Sequence, residues 1–318
     1  GPVTHSCALI RLMVYILTTL TPVFGLIFLG WFLRRQKRLG EHAATELNRF
    51  VVWLCLPALL FYAMATSPIS EIWNPGFVAA FTLSTMAVFT ATLLWRIKHH
   101  GLAVAGLDAL SASYANTGYV GIPICLFVLG DAGLAPALIS SLIVVSVLFA
   151  IAVICVEISL QKGQGAGAAL RKVSVALLKN PLIVSPFLGV IWNLAQLPLP
   201  DLASTFLQLI GDATVPCALV SLGAFLAHKQ PGSSQGAVPL VLIKLIVHPA
   251  LTWLLAYHVF HLPPLWASAA VLLAALPTGT GPYMLAELYG QEASVVSRTI
   301  LWSTMGSVAT LSLILLTL

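Results

Sequence analysis

Apolar residues run along this chain in long blocks, without the alternation of a strand or the single stripe of a soluble helix. Stretches free of Asp, Glu, Lys and Arg cover residues 12–33, 50–70, 72–95, 132–156 and 299–318. Each meets the ~20 residues a helix needs to cross a ~30 Å hydrocarbon layer. The whole pattern predicts ten transmembrane helices, at 12–33, 50–66, 75–95, 107–129, 134–156, 181–197, 203–227, 238–260, 265–287 and 293–318. The expected fold class is therefore an all-α integral membrane protein.

The polar positions between the blocks set the orientation. Arg34, Arg35, Lys37, Arg38 and Arg49 follow the first span; Arg96 and Lys98 follow the third. Lys162, Arg171, Lys172 and Lys179 follow the fifth, and Lys229 the seventh. The loops after spans two, four, six and eight hold no Lys or Arg; they carry Glu71, Asp131, Asp201 and His261. Basic loops stay on the cytoplasmic side. Ten spans then put both termini outside the cytoplasm, in a multi-pass protein of the cell's inner membrane. Trp73, Trp95, Trp192 and Trp266 fall at span ends, as interfacial anchors do.

Composition narrows the class further. Of 318 residues 59% are hydrophobic and 8% charged, with mean hydropathy +0.99. A soluble domain carries about a quarter charged residues. The net charge of +5 sits mainly in loops, so it speaks for topology and against nucleic acid. Cys7, Cys55, Cys125, Cys155 and Cys217 lack metal-ligand spacing, and the last four lie in apolar segments as small apolar residues. Gly1-Pro2 reads as a remnant of tag cleavage, and the first span is too long for a signal peptide. The run Lys162-Gly-Gln-Gly-Ala-Gly167 follows a membrane helix, not a strand, and reads as a flexible linker.

Two segments break the apolar pattern where water is absent. Span four contains ANTGYVGIPI, residues 115–124; span nine contains ALPTGTGPYM, residues 275–284. The halves of the chain align. Pro22 and Gly30 fall on Pro181 and Gly189, Pro57 falls on Pro216, and with one further residue of shift Gly121 falls on Gly281. Five spans per half is odd, so the halves form two inverted repeats, 12–158 and 181–318, joined by a cytoplasmic linker at 159–180. Matching Gly/Pro-interrupted segments are the sequence mark of a transporter binding site. Spans four and nine are expected to be broken helices crossing at their breaks, against the plainer alternative of simple kinks. Irregular backbone is tolerated there only inside protein or beside a water-filled cavity. Half-helices starting near Val120 and Gly281 would aim N-terminal N–H groups at the centre and favour anions. Asn116, Thr117, Thr278 and Thr280 would add polar side chains; Gly118, Gly279 and Gly281 would let a ligand approach the backbone.

NTGYVGIPI, ALPTGTGPYMLAELYG and GDATVPCALVSLGAFL resemble the auxin efflux carrier family in its short-looped prokaryotic branch, over essentially the whole chain. The resemblance implies a mobile transport unit (helices 3–5 and 8–10) moving elevator-fashion against a scaffold (helices 1, 2, 6 and 7) that forms a homodimer. It implies alternating-access transport of a small carboxylate, such as malate, malonate or an auxin-like acid. It maps Asn116, Pro123, Pro277 and Pro282 onto the family's crossover, and the substrate set becomes Asn116, Thr117, Gly118, Gly121, Pro123, Pro277, Thr278, Gly279, Thr280, Gly281 and Pro282. The 159–180 loop is shorter than that of many plant carriers, which speaks against auxin itself.

Other polar residues have two readings each. Asp212, mid-span in helix seven, is an ion or proton site, or a carboxyl serving the backbone freed near Gly211 and Pro216. Lys244 pairs with Asp212 or substrate, or else snorkels to the interface. Asp212 and Lys244 are thus the ion-coupling candidates, with Na+ or H+ as the coupling ion and no other cofactor. His248 and His258 are expected to be packed or interfacial. Asp108, Glu157 and Glu287 are expected to be solvated at cytoplasmic ends, with Arg298 snorkelling to the same side. Asn48 caps span two or lines the site. The cluster Arg34–Arg38 is a topology signal and a candidate contact for lipid headgroups.

No Ser/His/Asp spacing, HExxH or Walker loop is present, so the chain does not read as an enzyme. Two further functions compete with an organic-anion carrier: a cation/proton exchanger of crossed-helix architecture, and a membrane sensor on a carrier fold. Exchangers place carboxylates beside the crossover. No acid occurs between Asp108 and Asp131 or between Asp212 and Glu287.

Overall fold

The computed structural model describes residues 2–228 and 235–318, so the cytoplasmic placement of Lys229 lies outside the described residues. Those residues are helical, with one isolated antiparallel bridge. The helices are α1 (Pro2–Arg35), α2 (Ala43–Thr66), α3 (Pro75–Arg96), α4 (Leu102–Ser113), α5 (117–129), α6 (134–160), α7 (Ala166–Lys179), α8 (Pro181–Leu194), α9 (Asp201–Gly211), α10 (Thr214–Leu226), α11 (Ala237–Val259), α12 (Pro264–Ala274), α13 (Gly281–Leu288) and α14 (Ser294–Thr317). Seven helical stretches are long and apolar enough to cross a membrane, or eight if the bent pair α7/α8 is one span. The protein is a multi-pass membrane protein.

One of the seven, residues 117–160, is 44 residues long. Straight, it would reach ~66 Å at 1.5 Å per residue, about twice the hydrocarbon thickness. It does not run straight. Gly130 has φ +70°, a conformation that favours glycine, and the chain turns back there. A Cβ on Gly133 would fall 2.5 Å from the Cys125 carbonyl oxygen, so α5 and α6 meet closely beside the turn.

Proline shapes the helix interiors. Leu56, Ile122 and His248 each precede a proline, and each N–H reaches five residues back, to Val51, Thr117 and Ile243. Proline has no N–H to give the carbonyl four residues before it. A locally widened turn keeps the neighbouring backbone paired where lipid offers no partner.

Glycine sets the closest helix contacts. A Cβ on Gly30 of α1 would lie 2.2 Å from the Val220 oxygen of α10, and one on Gly223 only 1.9 Å from the Ile27 oxygen. On the other side of the fold, a Cβ on Gly189 of α8 would lie 2.7 Å from the Phe61 oxygen of α2. Larger side chains at these three positions would force the helices apart. Small residues permit close backbone approach when lipid provides no hydrophobic drive.

The predicted linker is not unstructured. Most of it forms α7, bent by 66° from α8, with Leu170 and Leu178 exposed beside the basic residues Arg171, Lys172 and Lys179. That is the character of a helix lying in the membrane interface. Trp73 and Trp95 are exposed near helix ends. Trp266 instead packs on Phe77 at 5.4 Å and Trp192 edge-on to Phe61 at 6.3 Å. The five cysteines are free thiols.

Candidate functional site

The two most continuously buried stretches of backbone are 105–115 and 269–279, which lead into the two breaks. Helix α4 stops at Ser113 and α5 begins at Thr117; α12 stops at Ala274 and α13 begins at Gly281. The intervening segments cross and pair. Asn116 N–H donates to Pro277 O at 2.9 Å, and Gly279 N–H to Tyr114 O at 3.1 Å, making the antiparallel bridge Ala115–Thr278. Thr278 N–H donates to Ser303 Oγ at 3.0 Å and Thr278 Oγ1 to Ser111 O at 2.7 Å. The broken backbone is therefore satisfied by the opposite break and by α14, as it must be away from water.

This geometry divides the predicted site residues. Thr278 is fully buried and its hydroxyl is committed to the α4 carbonyl, so it holds the crossing together. Gly279 and Gly281 lie under the Tyr114 ring: a Cβ on Gly281 would fall 2.4 Å from Tyr114 Cζ. Gly121 is similarly hemmed in by Leu276 and Leu273. At these three glycines Tyr114, Leu273 and Leu276 fill the space that a side chain would take, so each gives room for the crossing. Gly118 is exposed and faces open space. Pro277 and Pro282 are buried, while Pro123 is half-buried with its carbonyl accepting from Tyr15 Oη at 3.0 Å. The half-helix expected from Val120 begins one turn earlier, at Thr117.

The polar groups left unclaimed are few. Thr117 Oγ1 is buried and has no hydrogen-bond partner. Asn116 and Thr280 are half-buried. Lys244, fully buried on α11, donates from Nζ to Ala274 O at 2.6 Å. Ala274 is the last residue of α12, so the Lys244 amine caps the negative, carbonyl end of that half-helix. It neither snorkels nor pairs with Asp212. Asp212 is exposed at the end of α9, and the ion pairs among the described residues are Arg49–Glu46 and Arg96–Asp108.

Two carboxylates expected in solvent are instead engaged. Asp108 is buried and accepts from Arg96 Nε at 2.7 Å. Glu157 is buried and accepts from the Tyr289 hydroxyl, which ties α6 to the chain just beyond α13. His248 is packed in the core, 3.0 Å from Thr85 Oγ1, whereas His258 is exposed against Trp253. Asn48 is buried and its amide donates to Met284 O at 3.1 Å, bracing α13 from α2. A cavity of about 630 Å³ lies between α11 and α14 and shares no residue with the crossover. Its apolar lining suits lipid more than an anion.

Residues 15–315 match the family described as "Membrane transport protein". The chain belongs to this family, which includes the auxin efflux carriers. It is 29% identical over 299 residues to the "Putative malonate transporter" of Rhizobium meliloti, covering 92% of each chain. An "Uncharacterized transporter" of Methanothermobacter thermautotrophicus is 26% identical over 93% of this chain and 96% of its own. "Auxin efflux carrier component 8" of Arabidopsis thaliana is 27% identical over 136 residues, 41% of this chain and 37% of its own. The Membrane transport protein family member described here is thus a membrane transporter and not an enzyme.

Three residues of the crossing escaped the sequence reading: Tyr114, Ser111 and Ser303. Tyr114 adjoins the ANTGYVGIPI motif, and an aromatic next to a break that must fit glycines was a usable signal. Ser303 belongs to a row of buried hydroxyls on α14, with Ser297, Thr304 and Ser307, of the kind that glues membrane helices.

Proposed function

We propose that this transporter carries small carboxylate anions across the inner membrane by alternating access, with substrate bound at the crossing of α4/α5 and α12/α13. The observation that carries this reading is the paired crossing itself. It pairs the segments that lead into two half-helix N-termini, at Thr117 and Gly281, with Asn116, Thr117 and Thr280 at the breaks, Lys244 bonded to the end of α12 and no carboxylate among the crossing residues. N–H groups and hydroxyls of this kind bind carboxylate oxygens. The "malonate" of the Rhizobium meliloti relative's name is an acid of the same class.

The ten-span reading counts α4/α5, α9/α10 and α12/α13 as one crossing each, takes α5 and α6 apart at Gly130, and adds α8. Both termini are then extracytoplasmic. The contacts of Gly30 with Val220 and of Gly189 with Phe61 support the inverted repeat. The shift that carries Gly30 onto Gly189 also carries Phe61 onto Val220, so each contact maps onto the other with its partners exchanged. In this reading α1, α2 and α8–α10 form a dimerising scaffold. The remaining spans move against it as an elevator, coupled to H+ or Na+ or running as a uniport.

The test is a thermal-shift panel of mono- and dicarboxylates with and without sodium, followed by flux of the stabilising acid in proteoliposomes. A bound ligand in excess raises apparent stability by mass action. Stabilisation and saturable flux by at least one small carboxylate are expected. A panel in which none stabilises the protein and none is carried refutes the proposal.

A further inference from the structure

Helices α1, α10 and α14 enclose a cleft of about 370 Å³, lined by Phe24, Ile27, Phe28, Trp31, Arg298 and Trp302 among others. It is distinct from the crossover and shares no residue with it. Its floor cannot close further. Gly30 and Gly223 already bring α1 and α10 to backbone contact behind it. Phe28 and Trp31 are exposed, so the cleft opens on the lipid-facing side.

Among the described residues, Arg298 is the one charged residue lining this cleft. Its Nε is buried and has no hydrogen-bond partner among the described residues, and none of those lining the cavity is acidic. A guanidinium presents five donors in a fixed fork that matches carboxylate or phosphate. Leaving such a donor buried and unpaired is costly, and an acceptor from outside the described residues would relieve that cost. Around it the chemistry is that of a membrane interface. Trp31 and Trp302 line the same cleft, and the Arg35 guanidinium lies 5.7 Å from the centre of the Trp31 ring. Arg34, one turn beyond Trp31, donates to His228 at 3.3 Å. Phe24 and Ile27 line the part of the cleft further from this basic end of α1.

We propose that the cleft binds an anionic phospholipid, with its phosphate on Arg298 and one acyl chain along Phe24, Ile27 and Phe28. A phosphate or carboxylate on an apolar body is the chemistry that fits. The exposed lateral opening and the clustered arginines favour a bilayer lipid over a free organic anion. On the carrier reading of the previous section α1 and α10 are scaffold and α14 is mobile, so this lipid would occupy the seam between them. Binding itself does not depend on that assignment.

The experiment uses delipidated full-length protein in neutral detergent and reads two quantities: melting temperature, and phospholipid retained after washing, measured by native mass spectrometry. Phosphatidylglycerol and phosphatidylcholine of identical chains are compared. Glycerol 3-phosphate and octanoate serve as the free-anion arms. Phosphatidylglycerol is expected to raise the melting temperature by several degrees more than phosphatidylcholine and to be retained. Arg298→Gln should abolish the difference, and Arg35→Gln should largely preserve it. Leu301→Trp, which fills the cleft without touching the charge, should reduce retention and so covers the case in which Arg298→Gln folds poorly. Equal effects of the two lipids on the parent protein would overturn the proposal. So would a full phosphatidylglycerol effect in Arg298→Gln, or a free anion matching the lipid. These readouts are independent of transport, so a failure here and a failure of the carboxylate panel are separate results.

Discussion

Replacing Asn116 by alanine separates the two jobs done at the crossing. The backbone N–H of Asn116 holds the bridge to Pro277 O and survives the substitution. No hydrogen bond from its side chain to another described residue is needed to keep the breaks paired. Fold stability should therefore change little, within the ~0.5 kcal/mol usual where no special feature is touched. If the amide binds a substrate carboxylate, its loss removes one hydrogen bond to a charged group, worth about 1.5–3 kcal/mol. At about 1.4 kcal/mol per decade, affinity falls roughly ten- to hundred-fold. Thr278→Val is the converse control. It removes the hydroxyl that donates to Ser111 O, so a fully buried acceptor loses its partner and stability drops by about 1–3 kcal/mol. Both proteins are assayed by calorimetric titration with the acid that stabilises the parent, and by thermal unfolding. Unchanged affinity in a folded Asn116→Ala protein would move the substrate site away from the crossing.

Gly281→Ala places a Cβ 2.4 Å from Tyr114 Cζ and should destabilise by about 1–3 kcal/mol, with Tyr114→Leu recovering part of the loss in the double variant; strict additivity would argue against the contact. Lys244→Met, of similar volume, removes the donor to the buried Ala274 O and should lower stability by about 1–3 kcal/mol; if Lys244 also serves the substrate, flux per folded protein should fall as well, and unaltered flux would leave it a structural residue. Cysteines introduced at Ser70 and at Gly165 should react with an impermeant thiol reagent from opposite sides of the membrane, and labelling of both from one side would end the proposed topology. If transport is driven by a pH or sodium gradient, flux through Asp212→Asn tests the exposed carboxylate of α9, and gradient dependence that persists in that variant rules it out as the coupling site.

The crossing was readable because its residues are wrong for a plain membrane helix. Proline, glycine and threonine clustered at two matching places cannot be explained by lipid, and their pairing follows from the need to satisfy broken backbone. Contacts made to carbonyls were not readable. Lys244 finds Ala274 O, and Asn48 finds Met284 O. A main-chain acceptor carries no side-chain signature, so nothing at residue 274 or 284 announces its donor. Asp108 and Glu157 were misjudged for a related reason. Their positions near span ends suggested water, but packing set Arg96 and Tyr289 against them. Helix α7 was hidden by the glycines before it, although its leucines and basic residues already had the composition of an interfacial helix.

The bond between the two breaks runs from main chain to main chain, and this bears on how such a site can change. Asn116 and Pro277 are joined through N–H and C=O groups that most amino acids possess. The side chains of Asn116, Thr117 and Thr280 are not those that close the ladder. If the substrate binds at the crossing, architecture and preference for cargo are thereby written in different atoms. On the proposed carboxylate reading, substitutions at these three positions would retune which anion is accepted while the frame that presents it stays intact, so new specificities would lie within single mutational steps of a foldable protein.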